Sequence, residues 1–204
     1  KTNFTGSGLD ILFGLVYLLK TYNNVCLPLN IDEIPKDIMF STCISFIPNI
    51  LKNKSTSEFS EKEYVIMYPL KNPNTQINFH KNNFYNILKS CRKNKQKRYA
   101  IITLFLKWPS SNVLDEGNTG GHFNLLLFDF KSKTVERFET YGKINLSSEK
   151  ITNKFDNLFE MDIKKELNYT YIRPLEFCPD HGFQNKEENN IINIDTAFRT
   201  VGNK

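Results

Sequence analysis

The histidines are the side chains of this 204-residue sequence best suited to proton transfer near neutral pH, and the sequence contains three of them. His80 precedes a predicted helix, which indicates an ordinary surface position. His122 follows the polar loop Asn-Thr-Gly-Gly and opens the apolar segment HFNLLLFDF, which is typical of a strand. We therefore expect the imidazole of His122 at an edge of a sheet, where loops meet a rigid scaffold and functional residues are common.

A predicted β-hairpin gives His122 an acidic neighbour. Residues 122–130 and 134–141 are both rich in β-forming residues, and only three polar residues separate them. If the residues that flank this loop pair with each other, Glu139 is a diagonal neighbour of His122, about 7 to 8 Å away at Cα. Glu139 then accepts a hydrogen bond from Nδ1 and leaves Nε2 as a base. The alternative is an ordinary ion pair at the sheet edge, and a register shift of one residue would separate the two side chains.

The segment that contains this hairpin resembles the catalytic segment of adenovirus-type and SUMO-deconjugating (Ulp-type) cysteine proteases. In that family a His opens a strand, an Asp follows it in the chain, and a later Asp or Glu orients the His. His122, Asp129 and Glu139 stand at the family's offsets of 7 and 17 residues. With its ERFE phrase, the segment is most similar to the Ulp-type proteins of large DNA viruses. The resemblance implies that His122 is the general base and Glu139 its orienting partner.

A second phrase, EFCPDHGFQNKEE at residues 176–188, resembles the family element that holds the oxyanion donor. The resemblance implies that Gln184 donates its side-chain amide to the negative charge of a tetrahedral intermediate, whereas composition alone favours a polar loop residue. The family nucleophile is a Cys that follows this Gln, and no Cys follows Cys178 in the sequence. We therefore expect a thiol protease whose nucleophile lies beyond Lys204.

The four cysteines contain no CxxC pair and are too sparse for a disulfide framework, which predicts unpaired thiols in an intracellular, reducing compartment. Cys26 and Cys43 are expected to be inert core residues. Cys178 has three interpretations: a structural residue, a reactive thiol that replaces the missing nucleophile, or a metal ligand together with His181. A structural zinc site needs four ligands and no second pair is evident, so we expect neither a metal nor a cofactor.

The order of helices and strands predicts an α+β fold, with a central mixed or antiparallel sheet that contains the His-bearing hairpin and is flanked by helices. The resemblance implies an Ulp/adenain-like fold. We expect residues 1–63 to form an N-terminal helical extension or subdomain and residues 64–204 to form the protease-like core. Apart from the hairpin, we expect a buried helix over 9–19 and short helices joined by a solvated loop over 27–60. Strands are predicted over 64–70, 99–108 and 169–175, and helices over 81–90 and 147–163. The spacing of apolar residues in the helix over 81–90 predicts that Cys91 faces the core.

Length and composition bound the class of protein. With 40% apolar and 24% charged residues, 204 residues suit one compact domain. The most apolar stretch, residues 9–19, is shorter than the roughly 20 residues that a membrane span needs, so we expect no membrane role. The formal net charge of +5 permits weak polyanion contact without requiring it.

Basic residues cluster between residues 89 and 98, where a helix end and a turn are predicted. A solvated loop is the simpler interpretation, and weak contact with a polyanion is the alternative. The six residues are Lys89, Arg92, Lys93, Lys95, Lys97 and Arg98.

A cysteine protease that hydrolyses a peptide or isopeptide bond accounts for His122, Glu139 and Gln184 together. The resemblance implies a protein substrate, either a viral precursor or a ubiquitin-like conjugate, which is cleaved after small residues, often Gly-Gly. It also implies a location in the cytoplasm of an infected host cell or in the virion. The alternative is a catalytically inactive relative that serves as a structural or binding module of a large DNA virus.

Overall fold

Helices and strands follow each other without strict alternation in the computed structural model, which describes residues 8–29, 43–48, 64–69, 77–107, 121–140 and 149–179. This order of helices and strands agrees with the α+β class expected from the sequence. The elements are, in chain order, α1 (Gly8–Thr21), β1 (Val25–Cys26), β2 (Cys43–Pro48), β3 (Tyr64–Met67), α2 (Ile77–Lys93), β4 (Tyr99–Lys107), β5 (Gly121–Asp129), β6 (Thr134–Phe138), α3 (Glu149–Leu167), β7 (Thr170–Ile172) and α4 (Pro174–Phe177).

A seven-stranded mixed sheet forms the centre of the fold; six strands follow the order β3-β2-β4-β5-β6-β7, and the seventh, β1, pairs with β4. β1 and β2 lie one after the other along the same side of β4 and run parallel to it, whereas β5 runs antiparallel on the other side. β4 is mostly buried, as its nearly continuous run of apolar residues predicts for a central strand.

The expectation of short helices between residues 27 and 60 is wrong where the structure describes this segment. Cys43–Pro48 form β2, a strand inside the sheet, and its first four residues are fully buried. Because both faces of this strand are covered, its sequence lacks the alternation that marks a half-exposed strand. The β-branched and aromatic side chains of Ile44 and Phe46 are the local signal for a strand.

The hairpin of β5 and β6 has the register that the sequence predicts, since Asp129 lies opposite Thr134 and Leu125 lies opposite Phe138. Lys133 completes the turn in the left-handed region, with a φ of 58°. Inward-facing residues alternate along both strands, and every second residue of β6 is buried. This alternation carries the residues at 122 and 139 onto the same, buried face of the sheet.

Asp129 stabilises the turn of this hairpin. Its Oδ1 accepts hydrogen bonds from the backbone N–H groups of Lys131 at 2.8 Å and of Ser132 at 3.3 Å, and its Oδ2 accepts one from Arg98 at 2.9 Å. Burial alone would raise the pKa of Asp129, but these hydrogen bonds outweigh burial and lower the pKa to about 2.

Helices α2 and α3 cover the buried face of the sheet with aromatic side chains. Phe84 of α2 packs against Phe128 of β5, with ring centroids 6.3 Å apart. Phe155 of α3 packs against Phe46 of β2, with ring centroids 5.5 Å apart. The structure confirms both helices that the apolar periodicity predicts; it extends α2 in both directions and α3 at its C-terminal end.

The last strand is shorter than the predicted range of 169–175. β7 ends at Ile172, and Pro174 begins the short helix α4. A proline has no N–H group to continue a strand ladder, and its fixed φ suits the first residue of a helix.

Helix α1 is confirmed, but it is not the buried helix that its apolar sequence predicts. Leu15 is buried, whereas Phe13 and Tyr17, which lie one turn apart on the same face, are 68% and 66% exposed. Within the described ranges, no helix is long and apolar enough to cross a membrane.

The cysteines differ from the expectation of four unpaired thiols. Cys26 of β1 and Cys91 of α2 form a disulfide, with Cα atoms 6.2 Å apart. These two segments, 65 residues apart in sequence, meet because β1 lies beside the start of β4, which follows α2 in the chain. Cys91 is buried, as its helical spacing predicts, and Cys43 is a buried core residue that accepts a hydrogen bond from Thr103.

We expect the Phe46→Ala variant to lower the free energy of unfolding by about 3 to 5 kcal/mol, because it leaves a cavity in the core. Phe46 is fully buried against Tyr64 and Phe155. Phe13→Ala is the matched control, since it removes the same atoms from an exposed side chain and should change stability by less than about 0.5 kcal/mol. Equilibrium unfolding in urea measures both values, and equal losses would contradict the placement of β2 in the core.

The Asp129→Asn variant should remove a pH-dependent part of the stability. Because the pKa of Asp129 is depressed in the folded state, its carboxylate stabilises the fold above the unfolded value of about 3.9. This contribution is lost as the pH falls from about 4 toward 2. Thermal unfolding across this range measures the difference from wild type, which should shrink below about pH 4. A difference that stays constant with pH would exclude the carboxylate charge as its cause.

Candidate active site

His122 and Glu139 meet at one end of the hairpin. His122 is the second residue of β5 and Glu139 follows the last residue of β6, so the register brings their side chains together. Nε2 of His122 and Oε1 of Glu139 are in hydrogen-bond contact, and the side chains are only 5% and 4% exposed. The expected proximity of the histidine and the acid is confirmed, and a catalytic role for the pair stays a prediction.

The ring nitrogen that meets Glu139 is Nε2, so the expectation of a contact through Nδ1 is wrong. Glu139 approaches His122 diagonally across the hairpin, and the distal nitrogen of the ring is the one that reaches it. Glu139 still holds one ring nitrogen and leaves the other, but the two nitrogens exchange these positions. With Nε2 in contact with the carboxylate, Nδ1 is the nitrogen that a proton-transfer role would use.

A buried arginine holds the second oxygen of Glu139. Nη1 of Arg137 donates to Oε2 of Glu139 at 3.2 Å and also to Oδ1 of Asn124. Nε and Nη2 of Arg137 donate to the two carboxylate oxygens of Asp156, each at 2.8 Å, in the bidentate geometry that guanidinium groups favour. Arg137 is almost completely buried. It therefore connects both strands of the hairpin with helix α3.

Tyr171 of β7 completes this network by donating its hydroxyl to Oδ1 of Asp156 at 2.6 Å. Burial raises the pKa of Tyr171 well above its ordinary value, and Asp156 adds to the rise while Arg137 opposes it. The hydroxyl therefore stays protonated and available as a donor. The network contains one guanidinium and two carboxylates, so its net charge beside His122 is negative.

Sequence reasoning missed Arg137, Asp156 and Tyr171. A signal for Arg137 exists, because it occupies an inward-facing position of β6, where a charge needs a buried partner. Asp156 follows Phe155 on the covered side of α3, and helical periodicity alone does not identify the strand that supplies its partner. The network depends on contacts between elements far apart in sequence.

Asn124 lies two residues from His122 on the same buried face, and its contact with Arg137 fixes the orientation of its amide. Because a guanidinium only donates, Oδ1 of Asn124 must face Arg137, and Nδ2 points away from it. Nδ2 is buried and has no hydrogen-bond partner within the described chain. A buried amide without an acceptor costs on the order of 1 to 3 kcal/mol, so this group is a ready donor to an oxygen atom.

Cys178 lies beside Glu139, directly after helix α4. It is buried, and burial raises the pKa of its thiol, although a backbone hydrogen bond from Glu139 and the charge of Arg137 lower the pKa in part. A raised pKa keeps the thiol protonated at neutral pH, which suits a structural residue better than a nucleophile.

The remaining candidates from the sequence are His80, His181, Gln184 and a possible metal site. His80 is buried, so the expectation of a surface position is wrong. α2 begins earlier than predicted, at Ile77, which places His80 one turn before Phe84 on the face that packs against the sheet. Gln184 and His181 lie outside the described residues. Among those described, no group of three or more His, Cys, Asp or Glu side chains could hold a metal ion.

Comparisons with known proteins leave the family of the chain open. No family model matches the chain, and no solved structure matches it significantly. The chain is 29% identical over 205 residues to a protein of Acanthamoeba polyphaga mimivirus that is named as an ankyrin repeat protein. This match covers 95% of the chain and 24% of the mimiviral protein, so the chain spans about a quarter of its relative's length. Ankyrin repeats consist of helix pairs with a β-turn, whereas this chain forms a seven-stranded sheet, so the relative's name does not describe this fold.

The Arg137→Met variant should lower the free energy of unfolding by about 3 to 5 kcal/mol, because it leaves the carboxylates of Glu139 and Asp156 buried without a cation. Tyr171→Phe removes only one hydrogen bond to Asp156 and should cost about 1 kcal/mol. Equilibrium unfolding in urea at neutral pH measures both values.

Arg173→Met is the matched control for this experiment. Arg173 pairs with Glu160 at 2.6 Å at the surface, where an ion pair contributes at most about 1 kcal/mol. If Arg173→Met lowered the free energy of unfolding as much as Arg137→Met, the buried network would stabilise the fold no more than a surface ion pair does.

Proposed function

We propose that the chain supplies the histidine and the acid of a thiol protease, which hydrolyses a peptide or isopeptide bond. The buried contact between His122 and Glu139, in the order and spacing of the Ulp-type proteases, carries this proposal. A carboxylate that holds one imidazole nitrogen fixes the tautomer of the ring. It also stabilises the imidazolium that forms when the other nitrogen takes a proton.

Each residue around this pair has a role in the proposed reaction. His122 removes the proton of an attacking thiol and later gives a proton to the leaving amine. Glu139 orients the imidazole, and Arg137 holds Glu139 through Oε2. The resemblance assigns the oxyanion donor to Gln184, and the buried amide of Asn124 offers a second donor on the face of His122.

The proposed nucleophile is a cysteine outside the 204 residues. Cys26 and Cys91 are joined in a disulfide, Cys43 is buried in β2, and burial raises the pKa of the Cys178 thiol. An attacking thiol needs both exposure and a lowered pKa, and none of these positions provides both. The thiolate forms a bond to the carbonyl carbon, the amine leaves with a proton, and water then hydrolyses the thioester.

The proposed substrate is a viral precursor protein or a ubiquitin-like conjugate, cleaved after small residues such as Gly-Gly, as the resemblance implies. We place this reaction in the cytoplasm of an infected host cell or in the virion. The similarity to a mimiviral protein supports a viral setting.

A thiol-reactive peptide probe that ends in Gly-Gly, applied to the full-length gene product, tests this function. We expect a cysteine outside the 204 residues to be labelled, and His122→Ala should slow the labelling about 10²- to 10⁴-fold. Glu139→Gln should also slow it, because a neutral amide does not stabilise the imidazolium. Glu136→Gln is the matched control, since it makes the same change three residues earlier in the chain, at a position of β6 on the opposite face. Mass spectrometry identifies the labelled cysteine.

Two results would contradict the assignment of His122 and of the nucleophile. One is labelling at the same rate in wild type and His122→Ala. The other is labelling confined to Cys178. Circular dichroism of each variant shows whether a slower reaction reflects lost chemistry or lost structure.

A catalytically inactive structural or binding module is the second candidate function. The burial of His122 and Glu139 favours it, together with the pairing of Arg137 and Asp156 in the same network. A buried network of ion pairs can fix the register of a sheet without transferring a proton. A full-length protein in which the probe labels no cysteine, and in which His122→Ala only lowers stability, would identify this role.

A further inference from the structure

Three helices and five strands have an end at the same edge of the sheet. β1 and β4 start there and β5 ends there, because Tyr99 pairs with Val25 on one side and with Asp129 on the other. β6 and β7 start at the same end of the sheet. α1, α2 and α3 lead into β1, β4 and β7, so the C-terminal ends of these helices lie at this edge too.

Backbone hydrogen bonds join the connections of this edge directly. The N–H of Arg98 donates to the carbonyl of Asn24 at 2.8 Å, and the N–H of Phe130 donates to the carbonyl of Arg98 at 2.9 Å. The N–H of Thr170 donates to the carbonyl of Lys133 at 3.0 Å. The connections that follow α1, α2, β5 and α3 therefore form one continuous surface.

This surface, which we call the basic edge, concentrates the positive charge of the chain. It has eleven basic side chains and two carboxylates, Asp129 and Glu166, and thus a net charge of +9, whereas the whole chain has +5. The remainder of the sequence is therefore net negative. The basic residues are Lys20, Lys89, Arg92, Lys93, Lys95, Lys97, Arg98, Lys131, Lys133, Lys164 and Lys165.

Eight of the eleven basic side chains are exposed and form no ion pair or hydrogen bond with any other described residue. The other three are engaged within the fold. Lys89 pairs with Glu166 at 3.7 Å, and Lys97 donates to a backbone carbonyl at 2.9 Å. Arg98 pairs with Asp129 at 2.9 Å.

Helix dipoles account for only part of this clustering. Five of the exposed cations lie in the last turns of α1, α2 and α3, where positive side chains are favourable. Lys95, Lys131 and Lys133 lie in connections outside any helix. Like charges this close repel one another in the free protein, so their concentration is typical of a surface that binds a polyanion.

We propose that the basic edge binds the phosphodiester backbone of nucleic acid without reading its sequence. Neighbouring strands lie about 4.8 Å apart, so the five strands from β1 to β7 spread the cations over roughly 19 Å. A duplex carries one phosphate charge per about 1.7 Å of its axis, so a surface of this length faces several phosphates. Nine of the eleven cations are lysines, which contact phosphates as point charges and position a duplex without specifying bases.

The exposed apolar residues favour nucleic acid over an anionic membrane surface. Binding to a membrane surface combines cations with apolar side chains that enter the bilayer. Among the described residues, Tyr22 is the large exposed apolar one that lies in a connection of the basic edge, whereas Phe13 and Tyr17 lie along the side of α1. A single tyrosine is a weak bilayer anchor, but its ring can stack on a nucleotide base.

The basic edge is separate from the candidate active site. His122 pairs with Leu106, at the opposite end of β4 from Tyr99, and a strand of this length places the two ends roughly 23 Å apart. Binding at this edge therefore requires no protease activity.

Fluorescence anisotropy of the 204-residue chain with a short labelled DNA duplex tests the proposal. We expect the logarithm of the affinity to fall with the logarithm of the salt concentration with a slope of about −5, and unrelated sequences should bind equally. The double variant Lys95→Gln/Lys131→Gln should make this slope shallower by about two and weaken binding at least tenfold at ~0.1 M salt.

The double variant Lys107→Gln/Lys154→Gln is the matched control, because it removes the same charge from surface positions away from the basic edge. It should leave the slope unchanged. Equal weakening by the two double variants would overturn the proposal, since net charge alone would then explain the binding. A slope near zero, or tighter binding to phosphatidylserine vesicles than to the duplex, would overturn it as well.

Discussion

The guanidinium of Arg137 is the constraint on which the polar end of the fold depends. It lies between Glu139, after β6, and Asp156 on α3, and it is buried with both. A buried ion that loses its partner destabilises a fold by several kcal/mol. A slip of the hairpin register or a rotation of α3 would therefore carry a large penalty. Aromatic packing of Phe84, Phe128 and Phe155 stabilises the rest of the sheet, but that packing tolerates small displacements better than a bidentate ion pair does.

The same constraint explains how a histidine lies inside a largely apolar fold. Glu139 meets His122 with one carboxylate oxygen and Arg137 with the other, so neither oxygen is left without a donor. A strand end fixes the position of His122 more narrowly than a loop would, because its pairing with Leu106 of β4 sets the backbone there. Glu139 directly follows Phe138, which pairs with Leu125 of β5. The buried contacts of His122, Glu139 and Arg137 therefore suit both candidate functions. They provide the preorganisation that proton transfer needs and the rigidity that a purely structural role needs.

The sequence predicts the hairpin, because a polar loop of three residues separates two β-rich segments, and the residues that flank the loop pair in the register that this loop favours. That register alone places Glu139 next to His122. The sequence does not reveal β2, because this strand of six residues lacks both the alternation of a half-exposed strand and the long apolar run that identifies β4. The sequence also does not predict the contact of Arg137 with Asp156 or the disulfide between Cys26 and Cys91. Each of these joins two segments that become neighbours only when the sheet forms. Local periodicity predicts elements, whereas buried polar partners depend on how the elements pack.

Charge is segregated along the strands, with the negative network at the His122 end and the basic edge at the other. The two ends lie roughly 23 Å apart along β4, which is more than twice the Debye length of about 8 to 10 Å at physiological salt. The lysines therefore act on an approaching polyanion, and screening removes most of their electrostatic potential at the other end of the strands. A polyanion bound at the basic edge would fix the location of the chain and leave the contact of His122 with Glu139 unchanged. Direct coupling between the two ends would need a rigid displacement of the strands, and the buried pairing of Arg137 opposes such a displacement.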